Sequence, residues 1–130
     1  VFIAGGIGIT PFRSMIQYLL DIQQPRPITV LYASATPEGF VYVDVLERAR
    51  RELGIKTVYT VTDATRLPAS WRGRVGRITP QMLRSEVPDL YQCTFYISGP
   101  RTMVESFRRS LNSLHIRNSH IKTDFFSGLA

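Results

Sequence analysis

The sequence is short of cysteine and of long apolar runs, and each shortage excludes a class of protein. Cys93 is the single cysteine among 130 residues, which excludes an internal disulfide and any zinc or iron–sulfur site built on cysteines. One thiol is compatible with a reducing compartment. No apolar run approaches the length needed to cross a bilayer, although 44% of the residues are hydrophobic. We therefore expect a soluble, cytoplasmic, globular domain with a real core.

The sequence also lacks a recognisable secretory signal, because Val1 opens inside an apolar run typical of a core strand. We expect these residues to come from a longer chain and to be the cytosolic part of a larger or membrane-associated protein. Acidic residues are in the minority, with 16 Lys and Arg against 10 Asp and Glu and a net charge of +6. This excess favours an anionic partner such as a nucleotide or an acidic protein. No nucleic-acid motif accompanies it.

Most of the special residues lie in the first dozen positions. An apolar run at 1–4 predicts a buried strand, and three glycines follow at positions 5, 6 and 8. Thr10 suits a helix N-cap, and Pro11 suits the first helical turn. Such a turn binds phosphate, because free backbone N–H groups and the helix dipole attract an anion. We expect Gly8→Val to abolish this binding and to leave the sheet folded.

This segment differs from two familiar phosphate-binding fingerprints. Pro11 stands where G-x-G-x-x-G has its third glycine, and no acid closes the second predicted strand at 28–32. The lysine of G-x-x-x-x-G-K-[ST] is also missing, which disfavours a nucleoside-triphosphatase. The structural alternative is a glycine turn that joins a strand to a helix and binds nothing.

Strands alternate with helices along the whole chain. Further strands are predicted at 28–32, 56–61, 94–97 and 120–124. Helices are predicted after Thr10, over 45–53 with Gly54 as the C-terminal stop, over 80–85 with Thr79 as the N-cap, and after Pro100. This alternation predicts an α/β fold, a three-layer, Rossmann-like, doubly wound parallel sheet of about five strands. Residues 62–77 are predicted to form a long irregular loop beyond the third strand. Residues 98–100 are predicted to break the fourth.

Ligands of such sheets bind outside the carboxyl ends of the strands. Segments rich in glycine, serine, threonine or proline follow those ends here, at 5–10, 34–37, 62–63 and 98–103. We expect them to converge into one ligand site. The two histidines, His115 and His120, lie away from these segments, and we interpret both as ordinary surface or packing residues.

These segments give the sequence a resemblance to the pyridine-nucleotide half of the ferredoxin–NADP reductase family. Five of its segments occur in order, at Gly5–Phe12, Tyr59–Asp63, Trp71–Gly76, Tyr96–Val104 and a closing Phe-x-Gly. The resemblance implies that residues 1–130 form one NAD(P)-binding domain. In the family a flavin-binding β-barrel with an Arg-x-Tyr-Ser/Thr motif precedes this domain. That motif is absent from the sequence, so we expect the FAD-binding domain to lie upstream of it.

The resemblance also implies a cofactor site with assigned parts. The glycine turn would hold the pyrophosphate, the end of the third strand would lie beside the adenine-side ribose, and the end of the fourth would flank the nicotinamide. The implied cofactor-binding residues are Gly5, Gly6, Ile7, Gly8, Ile9, Thr10, Pro11, Thr62, Asp63, Ser98, Gly99, Pro100, Arg101 and Met103. Ser98 is the one catalytic candidate, because it stands where the family usually has a cysteine near the hydride-donating carbon. No metal site is implied.

The function implied is an electron-transfer flavoprotein oxidoreductase. NADH or NADPH would pass a hydride to FAD on the upstream domain, and electrons would then reach an acceptor, which we expect to be an acidic protein or domain. The domain alone is expected to bind nucleotide and to be inactive. Two alternatives stay open: a nucleotide-binding electron-transfer or regulatory subunit whose flavin lies on another chain, and an unrelated flavodoxin-like binding module. Gly99-Pro100-x-x-Met103 argues against the second.

Cofactor preference depends on Thr62 and Asp63. NADP-dependent relatives usually place a serine and an arginine at these positions, so the acid favours a free 2′-hydroxyl and therefore NADH. Three arginines in the same loop could instead reach a 2′-phosphate: Arg66, Arg72 and Arg74. We weigh the acid more heavily, because the end of the third strand fixes its position.

Overall fold

Six parallel strands form one sheet in the computed structural model, which describes residues 1–126 apart from the side chains of Arg66, Phe125 and Phe126. The strands are β1 Phe2–Gly5, β2 Thr29–Ser34, β3 Lys56–Val61, β4 Arg74–Val75, β5 Phe95–Pro100 and β6 Ile121–Phe126. The helices are α1 Ile9–Asp21, α2 Val43–Leu53, α3 Pro80–Glu86 and α4 Arg101–Ser113. The spatial order β4-β3-β2-β1-β5-β6 reverses direction between β1 and β5. Ligands of doubly wound sheets bind at this switch point.

The helices cover the sheet in two layers. Apolar residues of α1 and α2, such as Ile16 and Leu46, share a core with the β1 and β2 side chains on one face. Apolar residues of α3 and α4, such as Leu83 and Leu111, share the second core with β5 on the other face. Residues in β1 such as Ile3 and Ala4 are fully buried because helices lie over both faces there. The predicted three-layer α/β fold is confirmed.

Several predicted elements are confirmed with their local causes. The third strand occupies 56–61 as predicted. Helix α2 ends at Leu53 and is capped by Gly54, whose φ of 71° is the left-handed conformation that glycine adopts without strain. Thr79 caps α3, because its side-chain oxygen accepts a hydrogen bond of 3.1 Å from the Met82 amide.

The predicted N-cap at Thr10 is wrong. A 3₁₀ turn at Gly6–Gly8 leads directly into α1 at Ile9, and Gly8 occupies the cap position with helical backbone angles and no side-chain cap. The chain therefore turns earlier than the cap signal indicated, and Thr10 is an exposed residue of the first helical turn. Pro11 still fits, because the first four helical N–H groups have no partner within the helix.

Two predictions about strand ends are also wrong. Residues 98–100 do not break the fourth strand, because Gly99 and Pro100 pair in register with Phe125 and Phe126 of β6. The segment 62–77 is not wholly irregular, since it contains a 3₁₀ turn at Ala64–Arg66 and the short strand β4. The sheet therefore has a sixth strand at its edge. Ser127 and Gly128 of the closing Phe-x-Gly lie outside the described residues.

Candidate functional site

The glycine turn lies at the carboxyl end of the central strand β1. Gly6 has a φ of 55°, and a side chain built there would meet no atom within 4 Å, so glycine is required for the backbone angle and the space beside it stays open. Ile7 is 68% exposed and Thr10 is also exposed, whereas Ile9 is buried in the core. The Ile9 amide already donates to the Gly6 carbonyl. The turn thus offers an open backbone surface at the start of α1, which suits an anion.

Gly8 has a packing role in addition to the cofactor-binding role predicted from its sequence context. A Cβ atom on Gly8 would overlap the Ser98 carbonyl oxygen and lie 2.8 Å from the Gly99 amide nitrogen. The turn therefore packs directly against the backbone of β5. Gly8→Val would push this backbone apart, so we now expect the variant to disturb β5 as well as phosphate binding. The same contact brings the glycine turn and the Ser98 segment together, as predicted.

Met103 joins the glycine turn to the end of β5. Its thioether lies against both Gly5 and Gly99, where any Cβ atom would overlap it. Ser98 is 3% exposed, and Pro100 is half-buried ahead of α4. Arg101 starts that helix with an exposed side chain. The residues predicted to flank the nicotinamide therefore form one packed group at the switch point of the sheet.

The carboxyl ends of β2 and β3 lie at the same edge of the sheet as the glycine turn. Their hydrogen-bond ladder continues past the strands, with the Thr62 amide 2.9 Å from the Ser34 carbonyl and the Asp63 amide 3.1 Å from the Ala35 carbonyl. Farther along the loop, the Gly76 amide donates to the Val61 carbonyl at 2.8 Å. Both ends of the loop are thus tied to β2 or β3, and the position of Asp63 is fixed by the sheet.

The Asp63 carboxylate is oriented by its own loop. One carboxylate oxygen accepts hydrogen bonds from the Thr65 amide at 3.0 Å and from the Thr65 hydroxyl at 2.6 Å. These bonds favour one rotamer of the Asp63 side chain. Sequence reasoning missed the role of Thr65, although the pattern Asp-x-Thr at the end of a strand is a turn signal.

The loop arginines differ in what they can reach. The Arg74 guanidinium binds the Glu86 carboxylate at 2.6 and 2.9 Å and the Ser85 hydroxyl at 2.9 Å, so it is held against α3. Arg72 is exposed to solvent. Three arginines were predicted as competitors of Asp63. Of these, Arg74 is therefore held by Glu86 and Ser85, and the side chain of Arg66 lies outside the described residues.

One known protein family matches most of this chain. The family described as the oxidoreductase NAD-binding domain matches residues 2–109. The chain belongs to this family. The predicted resemblance to the ferredoxin–NADP reductase family is thereby confirmed.

Individual relatives are much longer than the stretch that matches this chain. The NADH-cytochrome b5 reductase 1 of Ajellomyces capsulatus is 30% identical over 128 residues, which cover 90% of this chain and 39% of that protein. A flavohemoglobin from Malassezia yamatoensis, solved with bound FAD and heme, is 25% identical with a TM-score of 0.78, over 97% of this chain and 31% of that one. The NAD-binding domain therefore spans well under half the length of these relatives.

A third relative shows the fold alone. The flavohem-like FAD/NAD binding domain of nitric oxide dioxygenase from Vibrio cholerae has a TM-score of 0.82 at 17% identity, over 98% of this chain and 50% of that one. Its backbone superposes on nearly all of the NAD-binding domain described here. The parallel sheet and its flanking helices are thus those of this family.

Arg13 is a second residue of this NAD-binding domain that sequence reasoning missed. Its guanidinium carbon lies 5.4 Å from the centre of the Tyr42 ring, which is within cation–π range. Its Nε atom is buried without a hydrogen-bond partner. Tyr42 has a φ of 59° just before α2, so the contact ties the second turn of α1 to a strained loop residue. No local sequence signal predicts this pairing.

The histidines lie outside the site. His115 and His120 line a cavity of about 260 Å³ together with Tyr91, Ile116 and Arg117. This cavity is at the amino edge of the sheet, opposite the glycine turn, because it follows the end of α4 and precedes β6. Residues 1–126 contain no group of three or more His, Cys, Asp or Glu side chains arranged to hold a metal. None of the helices in that range is long and apolar enough to span a membrane.

Proposed function

We propose that this domain binds NADH along the carboxyl edge of its sheet and orients the nicotinamide for hydride transfer to FAD on a partner domain. The observation that carries the proposal is the close packing of the glycine turn on Ser98 and Gly99. It puts the open backbone surface for a pyrophosphate next to the segment expected to flank the nicotinamide. The two sites would then be spanned by one dinucleotide.

The glycine turn and the start of α1 suit a pyridine nucleotide on structural grounds. Gly6 leaves open space at the start of α1, and the helix dipole favours a negative charge there. Pyridine nucleotide and flavin supply the hydride chemistry when bound, so the protein contributes binding, orientation and exclusion of water. The packed Met103 thioether, which lies against Gly5 and Gly99, would hold the nicotinamide-side backbone in one conformation.

The preference for NADH is supported by Asp63 and by the arrangement of the loop arginines. The carboxylate has a fixed backbone position and is oriented by Thr65, and it would accept a hydrogen bond from a ribose 2′-hydroxyl. Arg74 is held by Glu86. The name of the Ajellomyces relative, an NADH-cytochrome b5 reductase, points the same way.

The partner domain is proposed from the names of the relatives. One relative is an FAD/NAD binding domain of which this chain covers half, and another binds FAD. The flavin-binding domain would lie on the same chain or, in the second candidate function, on another subunit. A basic net charge of +6 favours an acidic electron acceptor in either case.

The test is an anaerobic single-turnover experiment with the protein that includes its flavin-binding domain. We expect loss of NADH absorbance and bleaching of the flavin to occur at the same rate. The NAD-binding domain alone should bind NADH without oxidising it. Flavin that stays oxidised in the presence of bound NADH would contradict the proposal.

A further inference from the structure

The cavity at the amino edge of the sheet is separate from the proposed nucleotide site. It has a volume of about 260 Å³ and is lined by Tyr91, His115, Ile116, Arg117 and His120. Pockets for drug-sized molecules occupy about 300–1,000 Å³, so this cavity suits a smaller ligand. A dinucleotide bound along the carboxyl edge makes no use of it.

Two short 3₁₀ turns form the walls of this cavity. One turn, Leu90–Gln92, precedes β5, and the other, Asn118–His120, precedes β6. The turns lie side by side because β5 and β6 are neighbours in the sheet. Leu90 and Ile116 are buried in the core that β5 shares with α3 and α4. The sheet and this core therefore fix the walls of the cavity.

The polar side chains at the cavity have no partner among the described residues. Tyr91, His115 and Arg117 are exposed, and His120 is half-buried. None of these four side chains makes a hydrogen bond or an ion pair within that part of the chain. None of the lining residues is acidic, and a guanidinium group can only donate hydrogen bonds. The lining thus offers a positive charge and several donors, which suits an anion.

His115 has a backbone conformation that normally belongs to glycine. Its φ is 66°, in the left-handed region. It follows the end of α4, where the Ile116 amide donates a hydrogen bond of 3.0 Å to the Leu111 carbonyl, and helices that end in this way usually have glycine at the position of His115. Strained residues of this kind cluster at functional sites. The strain at His115 therefore directs attention to its side chain, which lines the cavity.

Gln23 shows how such strain is compensated elsewhere in this domain. It follows the end of α1 with a φ of 53°. Its side-chain amide donates hydrogen bonds of 2.8 Å to the Leu20 carbonyl and 2.9 Å to the Glu52 carboxylate. The His115 side chain has no such bond among the described residues. A ligand in the cavity would supply the partner that His115 lacks.

We propose that the cavity binds a small organic anion, a phosphate or carboxylate carried on a short apolar body. Arg117 binds the charged group, because a guanidinium pairs with either oxyanion through two parallel hydrogen bonds. His115 and His120 add ring N–H donors. Ile116 and the Tyr91 ring contact the apolar part. This site does not depend on the proposed function, because it shares no residue with the nucleotide site.

An NMR titration with phenyl phosphate tests the site in the protein that includes its flavin-binding domain. The amide resonances of Tyr91, Ile116 and His120 should shift and reach saturation. Phenol has the ring without the charge and should bind at least tenfold more weakly. Equal affinity for the two probes would overturn the proposal, and so would shifts confined to the glycine turn. No shifts at roughly 10 mM phenyl phosphate, which saturates a millimolar site, would overturn it too.

A matched pair of variants tests the role of Arg117. Arg117→Gln should weaken phenyl phosphate binding about tenfold, because it removes hydrogen bonds to a charged group. Arg51→Gln removes the same charge from an exposed position on α2, which packs on the opposite face of the sheet. This control should bind phenyl phosphate like the wild type. Equal affinities in the two variants would overturn the proposal.

His115→Gly separates ligand binding from folding. Glycine adopts the left-handed conformation without strain, so the melting temperature should not fall. Phenyl phosphate should nevertheless bind several-fold more weakly, because the ring N–H donor is lost. A variant that binds phenyl phosphate as tightly as the wild type would overturn the proposal. If His115→Gly does not fold, the exposed Arg117→Gln variant decides.

Discussion

At the scale of single residues, Asp63 is expected to decide between the two pyridine nucleotides. Replacing it by serine removes a charge that would repel a 2′-phosphate by about 1 kcal/mol at 4 Å in water and by more near a protein surface. We expect the ratio of the dissociation constants for NADPH and NADH to fall about tenfold in Asp63→Ser, equivalent to 1.4 kcal/mol. Calorimetric titration with both cofactors measures the ratio. A wild type that binds NADPH more tightly, with no change in the variant, would show that the arginines decide instead.

A substitution of Thr65 is expected to have a smaller effect on the same ratio of dissociation constants. Thr65→Val removes the hydroxyl that donates a hydrogen bond of 2.6 Å to the Asp63 carboxylate. It keeps the hydrogen bond of 3.0 Å from the Thr65 backbone amide. The acid remains but is oriented less tightly, so we expect a shift in the same ratio that is smaller than that of Asp63→Ser. Thr65→Ser keeps a hydroxyl and should restore the wild-type ratio. An unchanged ratio of dissociation constants in Thr65→Val would show that the hydrogen bond from the Thr65 backbone amide is sufficient to orient the acid.

Thr10 tests the anion site without disturbing the fold. An acid in the first turn of a helix stabilises it by roughly 0.3–1 kcal/mol through the helix dipole, whereas the same charge repels a pyrophosphate. Thr10→Asp should therefore raise the melting temperature slightly and weaken NADH binding about tenfold. Gln24→Glu adds a like charge past the other end of α1, about 20 Å away, and should leave binding unchanged. Equal affinities in the two variants would place the pyrophosphate elsewhere.

At the scale of elements, the edge strand β4 is held to α3 by one acid between two cations. Glu86 lies 2.5 Å from the Lys56 ammonium and 2.6 Å from the Arg74 guanidinium. The hydrogen bond from Lys56, followed by that from Arg74, lowers the pKa of the Glu86 carboxyl. The acid is mostly buried and both cations are about half exposed, so solvent screens the pairs and their net contribution is about 1 kcal/mol.

Glu86→Gln should lower the free energy of unfolding by about 1 kcal/mol at pH 7. Because the folded-state pKa is lowered, the stabilisation is present above the ordinary carboxyl pKa of about 4.3 and is lost as the pH falls through the folded-state value. Denaturant unfolding of both proteins should therefore converge in acid. Glu105→Gln, which removes an exposed ion pair of 4.0 Å, should stay within a few tenths of a kcal/mol of wild type. A difference for Glu86→Gln that persists in acid would contradict this account.

The same elements show what the sequence could predict and what it could not. The third strand, the C-terminal glycine of α2 and the Thr79 cap were predictable because each depends on residues within one turn or one strand. The two residues of β4 carry no local signal, since they become a strand only by pairing with Thr60 and Val61. Likewise, pairing with β6 keeps Gly99 and Pro100 in a strand despite their propensities.

The candidate site also has parts that the sequence could predict and parts that it could not. The segments at its edge could be predicted from glycine, threonine and proline positions, because parallel strands bring their carboxyl ends together. The contact of Gly8 with the Ser98 backbone depends on two segments far apart in sequence, and so does the pairing of Arg13 with Tyr42. Such contacts follow from the packing of the whole domain, so reading the chain locally missed them.

At the scale of the whole molecule, the two edges of the sheet are expected to have separate roles. The carboxyl edge brings together the glycine turn, the end of β3 and the Ser98 segment. The amino edge holds the cavity lined by His115 and His120, which lies about 15–20 Å away, the length of a strand of five or six residues. Binding of a dinucleotide along the carboxyl edge should therefore leave the amino edge undisturbed.

An NMR titration of amide resonances with NADH shows whether the nucleotide binds along the carboxyl edge of the sheet. Binding along this edge should shift the amide resonances of Gly6, Thr10, Asp63 and Gly99 and leave those of Tyr91 and His115 unchanged. The shifts should reach saturation with one nucleotide per chain. Shifts confined to the amino edge, or no shifts at millimolar NADH, a concentration that saturates ordinary enzyme sites, would contradict it.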